Sequence, residues 1–453
     1  MFPTIPRMAL AALLLAAAAG RAAAQEAAPP LSLADALRVA EENNPGYRKA
    51  LADLETAAAD RRRALGAYFP VLTVGVNSGG SFSRTLTGQD DYGRPVTLPD
   101  AIEKSSSNTS QTLSLTGLTL FDGGQRIREY RAANASSDAT TARAGAEALR
   151  MRGELTRRYW RAVKARRLIA LEERLLATAN ERVETTRRLV RVAVRNPVDV
   201  LAAEVDASRQ EQALERARGD ARKAVLDLRQ QMGVIEGGDV ALTDEPPPPA
   251  DPTAMNAEAL LARALAENPR VSGVEASARA AENRLGAARA TRFPTLSLQA
   301  SAGRSTFEQG YGALHEVNPL NQSFNFGFNV SYPLFNGWQT GQRIAQARAT
   351  LTGAREDARA ERLSVERDVR AALIDLENAT RASAVAERTL RLSRERLELA
   401  QEQYRLGSVG WSELQDAADA AARAERDALT ARFDAVEASV TLEEKVGAPA
   451  TPR

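Results

Sequence analysis

Few side chains in this 453-residue sequence are of a type that carries chemistry. It has one histidine, His315, and no cysteine, and it shows no serine-nucleophile motif, metal-ligand cluster or phosphate-binding loop. We therefore expect no enzymatic activity, no cofactor and no resident metal. The notable acidic pair is Glu413 and Asp416, which share one face of a predicted helix because they are three residues apart. Gathered carboxylates favour cations, although an ordinary solvated helix face has the same spacing.

The sequence around these residues is a duplication. Asn44-Pro45 recurs as Asn268-Pro269, and Phe69-Pro70 recurs as Phe293-Pro294, both 224 residues later. Phe121-Asp122-Gly123 recurs after 214 residues as Phe335-Asn336-Gly337, so the first copy carries ten extra residues before that triplet. Self-similarity over such a distance predicts two equivalent halves with the same order of elements.

The domain organisation follows from this duplication. Residues 1–24 contain a short apolar run and a small-residue cleavage site, which predict a secretory signal peptide. Residues 25–453 are predicted to be one domain of two repeats, 31–232 and 256–447, joined by a Gly- and Pro-rich linker, 233–255.

Charge argues against one class of partner. The chain has 60 Lys+Arg and 58 Asp+Glu, and removal of Arg7 and Arg21 with the signal leaves it neutral. A neutral chain gives no indication of nucleic-acid binding.

Helices dominate each repeat. Asn before Pro predicts a helix start, because Asn caps free amides and Pro suits the first turn. The segments 124–195 and 338–409 lack proline and are rich in Ala, Arg, Glu and Leu, which predicts two very long helices. Shorter return helices are predicted to end near Met232 and Val446.

Period-two alternation predicts a β-hairpin before each long helix. Apolar residues alternate with polar ones from Phe324 to Leu334, a length close to that of a transmembrane strand. Similar runs occur near 72–77, 113–116 and 296–302, and the polar segments 83–108 and 306–322 are expected to be loops. The residues expected to face lipid are Phe324, Phe326, Phe328, Val330 and Tyr332.

Four strands per chain cannot close a barrel, and lipid does not tolerate open sheet edges. Three copies supply twelve strands, and the helices carry apolar seams, such as Leu390, Leu397 and Tyr404, that need neighbours. The fold class is therefore predicted to be mainly α, with a β-hairpin in each of two repeats. A homotrimer would form a long α-helical coiled-coil barrel and a 12-stranded transmembrane β-barrel, with four strands per chain. The alternative is a periplasmic coiled-coil scaffold protein without channel activity.

The whole mature chain resembles the TolC family of outer-membrane efflux proteins, which are trimeric channel-tunnels of Gram-negative bacteria. The resemblance rests on the order of several weak motifs: Leu31-Ser32-Leu33 with Ala36-Leu37, Glu42-Asn43-Asn44-Pro45, both Phe-Pro pairs, both Phe-x-Gly triplets, and Tyr404-Arg405-Leu406-Gly407-Ser408. It implies an export channel in the cell outer membrane with a helical tunnel in the periplasm. The implied partners are outer-membrane lipid, a periplasmic adaptor (membrane fusion protein) and an inner-membrane pump of the ABC, RND or MFS type. Tripartite efflux and type I secretion both remain open, as do drug, protein and metal-ion cargo.

The resemblance also implies roles for particular residues. Glu413 and Asp416 match an acidic ring at the periplasmic entrance. Tyr404 and Asp199 match an entrance lock whose basic member falls at Val409 here, so that Arg195 is a candidate substitute. The tips that contact the adaptor would be Leu406, Gly407 and Ser408, and in the first repeat Ala193 and Val194, where the family usually has Gly.

Aromatic residues mark each change from strand to helix. Phe121, Phe335 and Trp338 lie there and are expected to anchor the protein at the membrane surface, although ordinary packing at a junction explains them equally well.

Overall fold

The computed structural model describes residues 30–234, 240–248, 250–310 and 321–447, without the side chains of 98–102. The predicted signal peptide, His315 and part of the predicted linker lie outside the described residues. The elements of the first repeat are β1 (Pro30–Leu31), α1 (Leu33–Asn43), α2 (Pro45–Gly66), β2 (Val71–Gln89), β3 (Pro95–Phe121), α3 (Gln125–Arg191) and α4 (Pro197–Met232). Those of the second are β4 (Ala241–Leu242), a 3₁₀ turn (Pro252–Ala254), α5 (Ala257–Glu267), α6 (Pro269–Ala290), β5 (Thr295–Gln309), β6 (Gln322–Ser331), α7 (Gln339–Leu406) and α8 (Trp411–Val446).

The chain forms two compact units. The first unit comprises the described parts of residues 30–50, 145–268 and 365–447, and the second comprises 51–144 with the described parts of 269–364. Within the described residues, no helix combines the length and the hydrophobicity that a membrane-spanning helix requires.

The two long helices are slightly shorter than predicted. They contain 67 and 68 residues and end at Arg191 and Leu406, rather than at 195 and 409. The composition correctly indicated helix, but the chain adopts a left-handed backbone at Ala193 and Gly407, which ends each helix early.

The prediction of a long first loop was wrong. Strands β2 and β3 pair from Val71 to Gln89, so only residues 90–94 connect them. The side chain of Asp90 closes this turn by accepting hydrogen bonds from the amides of Tyr92 and Arg94. Ser and Thr side chains also bond across the ladder, as between Ser81 and Ser106 at 2.8 Å, which explains why a polar segment forms strands.

The second hairpin also differs from the prediction at its ends. Strand β5 continues to Gln309, so it includes the first four residues of the segment predicted as loop. Strand β6 ends at Ser331, so Tyr332 and Leu334 do not belong to it. Pro333 lacks the amide that would continue the ladder.

The four long strands form one antiparallel sheet in the order β2-β3-β5-β6. Residues paired directly across an antiparallel ladder share a face, and the register pairs Val74 with Leu113 and Phe326 with Ala300. One face is therefore apolar and the other polar. The apolar face carries Leu72, Val74, Val76, Leu113, Leu115, Leu296, Leu298, Ala300, Ala302, Phe324, Phe326, Phe328 and Val330.

The first unit contains the largest described core. Met151, Leu155 and Tyr159 of α3 are fully buried against Ala36, Leu228, Phe433 and their neighbours. The Tyr159 hydroxyl donates to the Leu31 carbonyl at 3.0 Å, and burial raises the pKa of Tyr159 to about 12, so the donor stays protonated.

The Asn-Pro motif has a second use beyond starting a helix. The Asn44 Oδ1 caps α2 by accepting from the Tyr47 amide, while its Nδ2 donates to the Gln231 carbonyl at 2.8 Å. Asn268 Nδ2 makes the equivalent bond to the Lys445 carbonyl at 2.9 Å. Both asparagines are buried, so each ties the end of a return helix to the start of another helix.

We expect Asn44→Asp to weaken this connection. The carboxylate can still accept the hydrogen bond from the Tyr47 amide, but it has no N–H to donate to the Gln231 carbonyl. The free energy that protects the end of α4 should fall by about 1–3 kcal/mol. Hydrogen–deuterium exchange of residues 228–234 measures it. Asn43→Asp is the matched control, because Asn43 is exposed and bonds only locally to the Val39 carbonyl. Equal protection of residues 228–234 from exchange in both variants would contradict a stabilising role for the hydrogen bond from Asn44 to Gln231.

Candidate functional site

The site lies at the two turns that join the long helices to their return helices, in the first unit. Both turns have the same hydrogen bonds, in which the amide of the left-handed residue and the amide after it donate to carbonyls three and five residues back. The left-handed residues are Ala193 (φ 58°) and Gly407 (φ 82°), which are equivalent under the 214-residue offset. We call these turns tip 1 (192–196) and tip 2 (407–410).

Alanine at tip 1 is strained. A Cβ disfavours the left-handed region, whereas glycine enters it freely. A Cβ added to Gly407 would meet no atom within 4 Å, so the cost of a side chain at tip 2 is conformational rather than steric within the chain.

Arg195 connects the two tips. Its guanidinium donates to the carbonyl oxygens of Tyr404 and, at 2.9 Å, of Val409. It also lies over the Tyr404 ring, 4.0 Å from the centroid. A cation that bonds the last carbonyls of a helix stabilises its C-terminus, so Arg195 caps α7 from the neighbouring hairpin.

Tyr404 lies in a small core beneath this contact. Its side chain is 2% exposed and meets Trp411 edge-on at 5.8 Å, together with Leu414, Val183 and Leu397. Burial raises the pKa of Tyr404, the Thr186 hydroxyl opposes this, and the negative charge of Asp199 adds to the rise. The structure therefore brings the three residues of the expected lock together within one protomer. Tyr404 was expected to need neighbouring helices, and helices of the same protomer bury it.

The acidic pair lies just beyond this core. Glu413 and Asp416 are exposed, while Leu414 and Ala417 between and beside them are buried. Glu413 occupies the first turn of α8, where the positive end of the helix dipole stabilises a carboxylate. Asp199 holds the equivalent place in α4.

Apolar side chains are exposed at the tips and directly beside them. Leu406 is 76% exposed, and Val192, Val194 and Val198 are also exposed. The Ser408 hydroxyl, in contrast, bonds to the Gln403 carbonyl and so belongs to the turn. Between the last turns of α3 and α7 lies a groove of about 680 Å³, lined by charged residues that include Arg182, Arg188, Glu402 and Arg405.

The strand-to-helix turns in the second unit repeat the same pattern of strain. Gly123 and Gly124 are both left-handed, and the equivalent residues are Gly337 and Trp338, with φ of 62° and 66°. A left-handed tryptophan is a true outlier. Trp338 is 80% exposed and meets Phe335 edge-on at 6.4 Å, so two aromatic rings lie side by side in solvent-accessible positions at this turn. Phe121 is half-exposed at the other turn.

A family model described as outer membrane efflux protein matches residues 36–234 and 260–448, which is most of the chain. The chain belongs to the outer membrane efflux protein family. Protein CyaE of Bordetella pertussis is 27% identical over 326 residues, which are 70% of this chain and 63% of CyaE, so the match spans less than two thirds of that relative. The outer membrane efflux protein BepC of Brucella suis is 26% identical over 363 residues, 80% of this chain and 73% of BepC.

Solved structures of similar proteins agree with the fold. CusC, whose structures concern folding and transmembrane channel formation, has a TM-score of 0.78 at 18% identity and covers 92% of each chain. The open-state outer membrane channel MtrE of Neisseria gonorrhoeae has a TM-score of 0.73 at 21% identity over 92% of this chain and 89% of MtrE. The predicted family, the outer-membrane location and the mainly helical fold with its strand hairpins are confirmed.

This efflux-family chain also contains a buried ionic layer that the sequence analysis missed. Arg426 forms two bonds of 2.6 and 2.7 Å with Glu172 and one with Gln210, and Arg182 bonds to Asp206 at 2.7 Å. Burial, followed by the charge of Asp206, raises the pKa of Asp419 beside them. No local spacing reveals these pairs, because Glu172 and Arg426 are 254 residues apart.

The two tips allow a reciprocal test of the strain. Gly407→Ala should lower the local stability of tip 2 by about 1 kcal/mol, and Ala193→Gly should raise that of tip 1 by up to about the same amount. Exchange rates of the Ser408 and Val194 amides measure the two effects. Ala384→Gly, at an exposed position inside α7, should destabilise by about 1 kcal/mol. A loss of stability in Ala193→Gly like that of the control would rule out strain at tip 1.

Proposed function

We propose that this protein is the outer-membrane export channel of a tripartite efflux or type I secretion system. A homotrimer would conduct cargo passively from an inner-membrane pump and a periplasmic adaptor to the exterior, with no catalytic step. The observation that carries the proposal is the four-stranded sheet, which has one apolar face and whose outer strands, β2 and β6, pair with no further strand in the described part of the chain.

Both properties of the sheet favour a membrane. On β6 the apolar row from Phe324 to Val330 spans about 20 Å, close to the apolar band of outer-membrane barrels. Backbone groups at open edges cannot be left without partners in lipid. If β6 of one copy pairs with β2 of the next, three copies close a ring of twelve strands, with Asn325 and Asn329 inside and the phenylalanines outside.

The aromatic residues at the strand-to-helix turns support the same orientation. An exposed indole such as that of Trp338 is favoured at a membrane–water interface, where its apolar ring and its polar N–H both find suitable surroundings, and the neighbouring Phe335 ring adds apolar surface beside it. The strain at Trp338 is explained if the ring is needed at that level. Phe121 would serve at the other turn.

The exposed apolar side chains at the tips support docking of a protein partner. Leu406, Val192 and Val194 surround the two turns, and Gly407 leaves room for a close approach. We assign this surface, with Ala193 and Ser408, to the adaptor. ABC, RND and MFS pumps, and drug, protein and metal-ion cargo, all remain compatible with a passive channel.

The residues beneath the tips support a gated entrance. Arg195 joins the two hairpins by bonding backbone carbonyls, and Tyr404 and Asp199 complete this lock. Repetition of Glu413 and Asp416 around a threefold axis would gather carboxylates at the narrow end and favour cations there.

The membrane orientation predicts opposite responses at neighbouring positions of β6. Phe326→Arg should lower the free energy of unfolding in lipid vesicles by about 2–4 kcal/mol, because it buries a charge in hydrocarbon. Asn325→Arg, one residue away on the polar face, should cost little. Urea-induced unfolding of the vesicle-inserted protein measures both, and equal tolerance would contradict the assigned faces.

The channel itself can be tested in planar bilayers. The purified trimer should conduct ions with a preference for cations, and Glu413→Ala/Asp416→Ala should lose most of that preference, the more clearly at low salt because salt screens charges. Reversal potentials in a salt gradient measure the preference.

Glu395→Ala/Glu398→Ala is the matched control, because these exposed acids on α7 also lie three residues apart and carry the same charge. The control should keep the cation preference. Absence of conductance, or a monomer by native mass spectrometry in detergent, would contradict the channel. An equal loss of cation preference in the control would contradict the assignment of Glu413 and Asp416 as an acidic ring.

A further inference from the structure

Arginine recurs at all four places where a helix meets a strand of the sheet. Each of the segments 60–66, 125–131, 282–292 and 339–348 carries two or three arginines and no more than one acidic residue, although basic and acidic residues nearly balance in the whole chain. All four segments lie in the second unit. We call their arginines, apart from Arg126, the arginine collar.

The collar contains unpaired charge. On the helices that lead into strands, Arg61, Arg62, Arg284 and Arg289 are exposed and make no ion pair with the described residues, and the same holds for Arg292 in the turn after α6. Arg63 approaches Asp60 only at 3.7 Å, and both side chains are mostly exposed. A surface pair of this kind contributes little.

The helices that follow the strands repeat this arrangement. Arg128, Arg131, Arg343 and Arg348 are exposed and likewise form no ion pair within the described part of the chain. Arg126 differs, because it bonds to Asp122 at 2.7 Å and lies over the Tyr68 ring. Other arginines of the chain, such as Arg157, Arg161 and Arg426, bind carboxylates at 3.0 Å or less.

The collar lies directly beside exposed apolar residues. Arg292 precedes Phe293, and the turns of the second unit also expose Phe69, Leu334 and Trp338. Arg131 is six residues into α3, about 10 Å along the helix from its start. The headgroup zone of a bilayer is roughly 5–8 Å thick on each side, so long arginine side chains can reach it from these positions.

We propose that the arginine collar binds the headgroups of anionic phospholipids at the periplasmic surface of the outer membrane. This inference rests on the proposed function, because it requires the sheet to span the membrane. Guanidinium groups bind phosphate oxygens in a bidentate manner. A zwitterionic headgroup brings its own cation to the phosphate, whereas an anionic one leaves a net negative charge that can neutralise the collar. The ligand is therefore a glycerophosphate headgroup without a compensating amine, held between the arginines and the neighbouring aromatic rings.

The test compares lipid retention by the full-length trimer. Protein reconstituted in vesicles of phosphatidylethanolamine and phosphatidylglycerol is extracted, and native mass spectrometry counts the lipids that stay bound. The anionic lipid should be enriched about fivefold or more over its share of the vesicle. Enrichment should vanish in Arg61→Gln/Arg62→Gln/Arg289→Gln/Arg292→Gln, and high salt should weaken it in the wild type.

The control variant is Arg216→Gln/Arg388→Gln/Arg391→Gln/Arg396→Gln, which removes four exposed arginines of the first unit that make no ion pair within the described residues. It should retain the enrichment. If the quadruple collar variant does not assemble, the two double variants, Arg61→Gln/Arg62→Gln and Arg289→Gln/Arg292→Gln, should each lower the enrichment.

Failure of this inference is distinct from failure of the channel. No enrichment in the wild type, an equal loss in the control, or a collar variant that changes only ion selectivity would overturn lipid binding. Conductance of the wild-type trimer in purely zwitterionic bilayers would then still support the channel. Loss of conductance there would count against the channel itself.

Discussion

The open edges of the four-stranded sheet are the constraint on which the proposed assembly depends. Strands β2 and β6 each have one neighbouring strand among the described residues, so the sheet they form has two open edges. In water such edges are a liability, and in hydrocarbon each unpaired group costs several kcal/mol. A second copy of the same chain has the complementary edge, so no additional strand is needed in the sequence. Closure into a ring would therefore satisfy both edges of a chain with so few strands.

The duplication shows how one backbone design accepts different residues in its two copies. Ala193 and Gly407 adopt the same left-handed turn, as do Gly124 and Trp338. Glycine meets this need without strain, so the alanine and the tryptophan persist because the surrounding hydrogen bonds and strands fix the backbone around them. Arg195 and Val409 are also equivalent positions, and only the first carries a charge, yet that charge reaches the carbonyl of the second.

Buried and exposed charges are balanced in different ways. Buried carboxylates such as Glu172 and Asp206 each bind an arginine, because an unpaired charge within packed helices is costly. Most of the arginines beside the strands are exposed and make no ion pair with the described residues. Neutral overall composition thus conceals a local excess of positive charge close to an apolar surface.

The sequence by itself determined the duplication, the helix starts at Asn44 and Asn268, the long helices and the alternation of β6, because each of these depends on local propensity or periodicity. It misplaced the ends of α3 and α7 and the first hairpin, because a left-handed turn at alanine and a ladder of serines carry no strong local signal. Only the tertiary structure decided that four short alternations form one apolar face, since register is a relation between strands. The same holds for Arg195 on Tyr404 and for Glu172 with Arg426, because contacts between residues hundreds of positions apart arise from packing rather than from spacing.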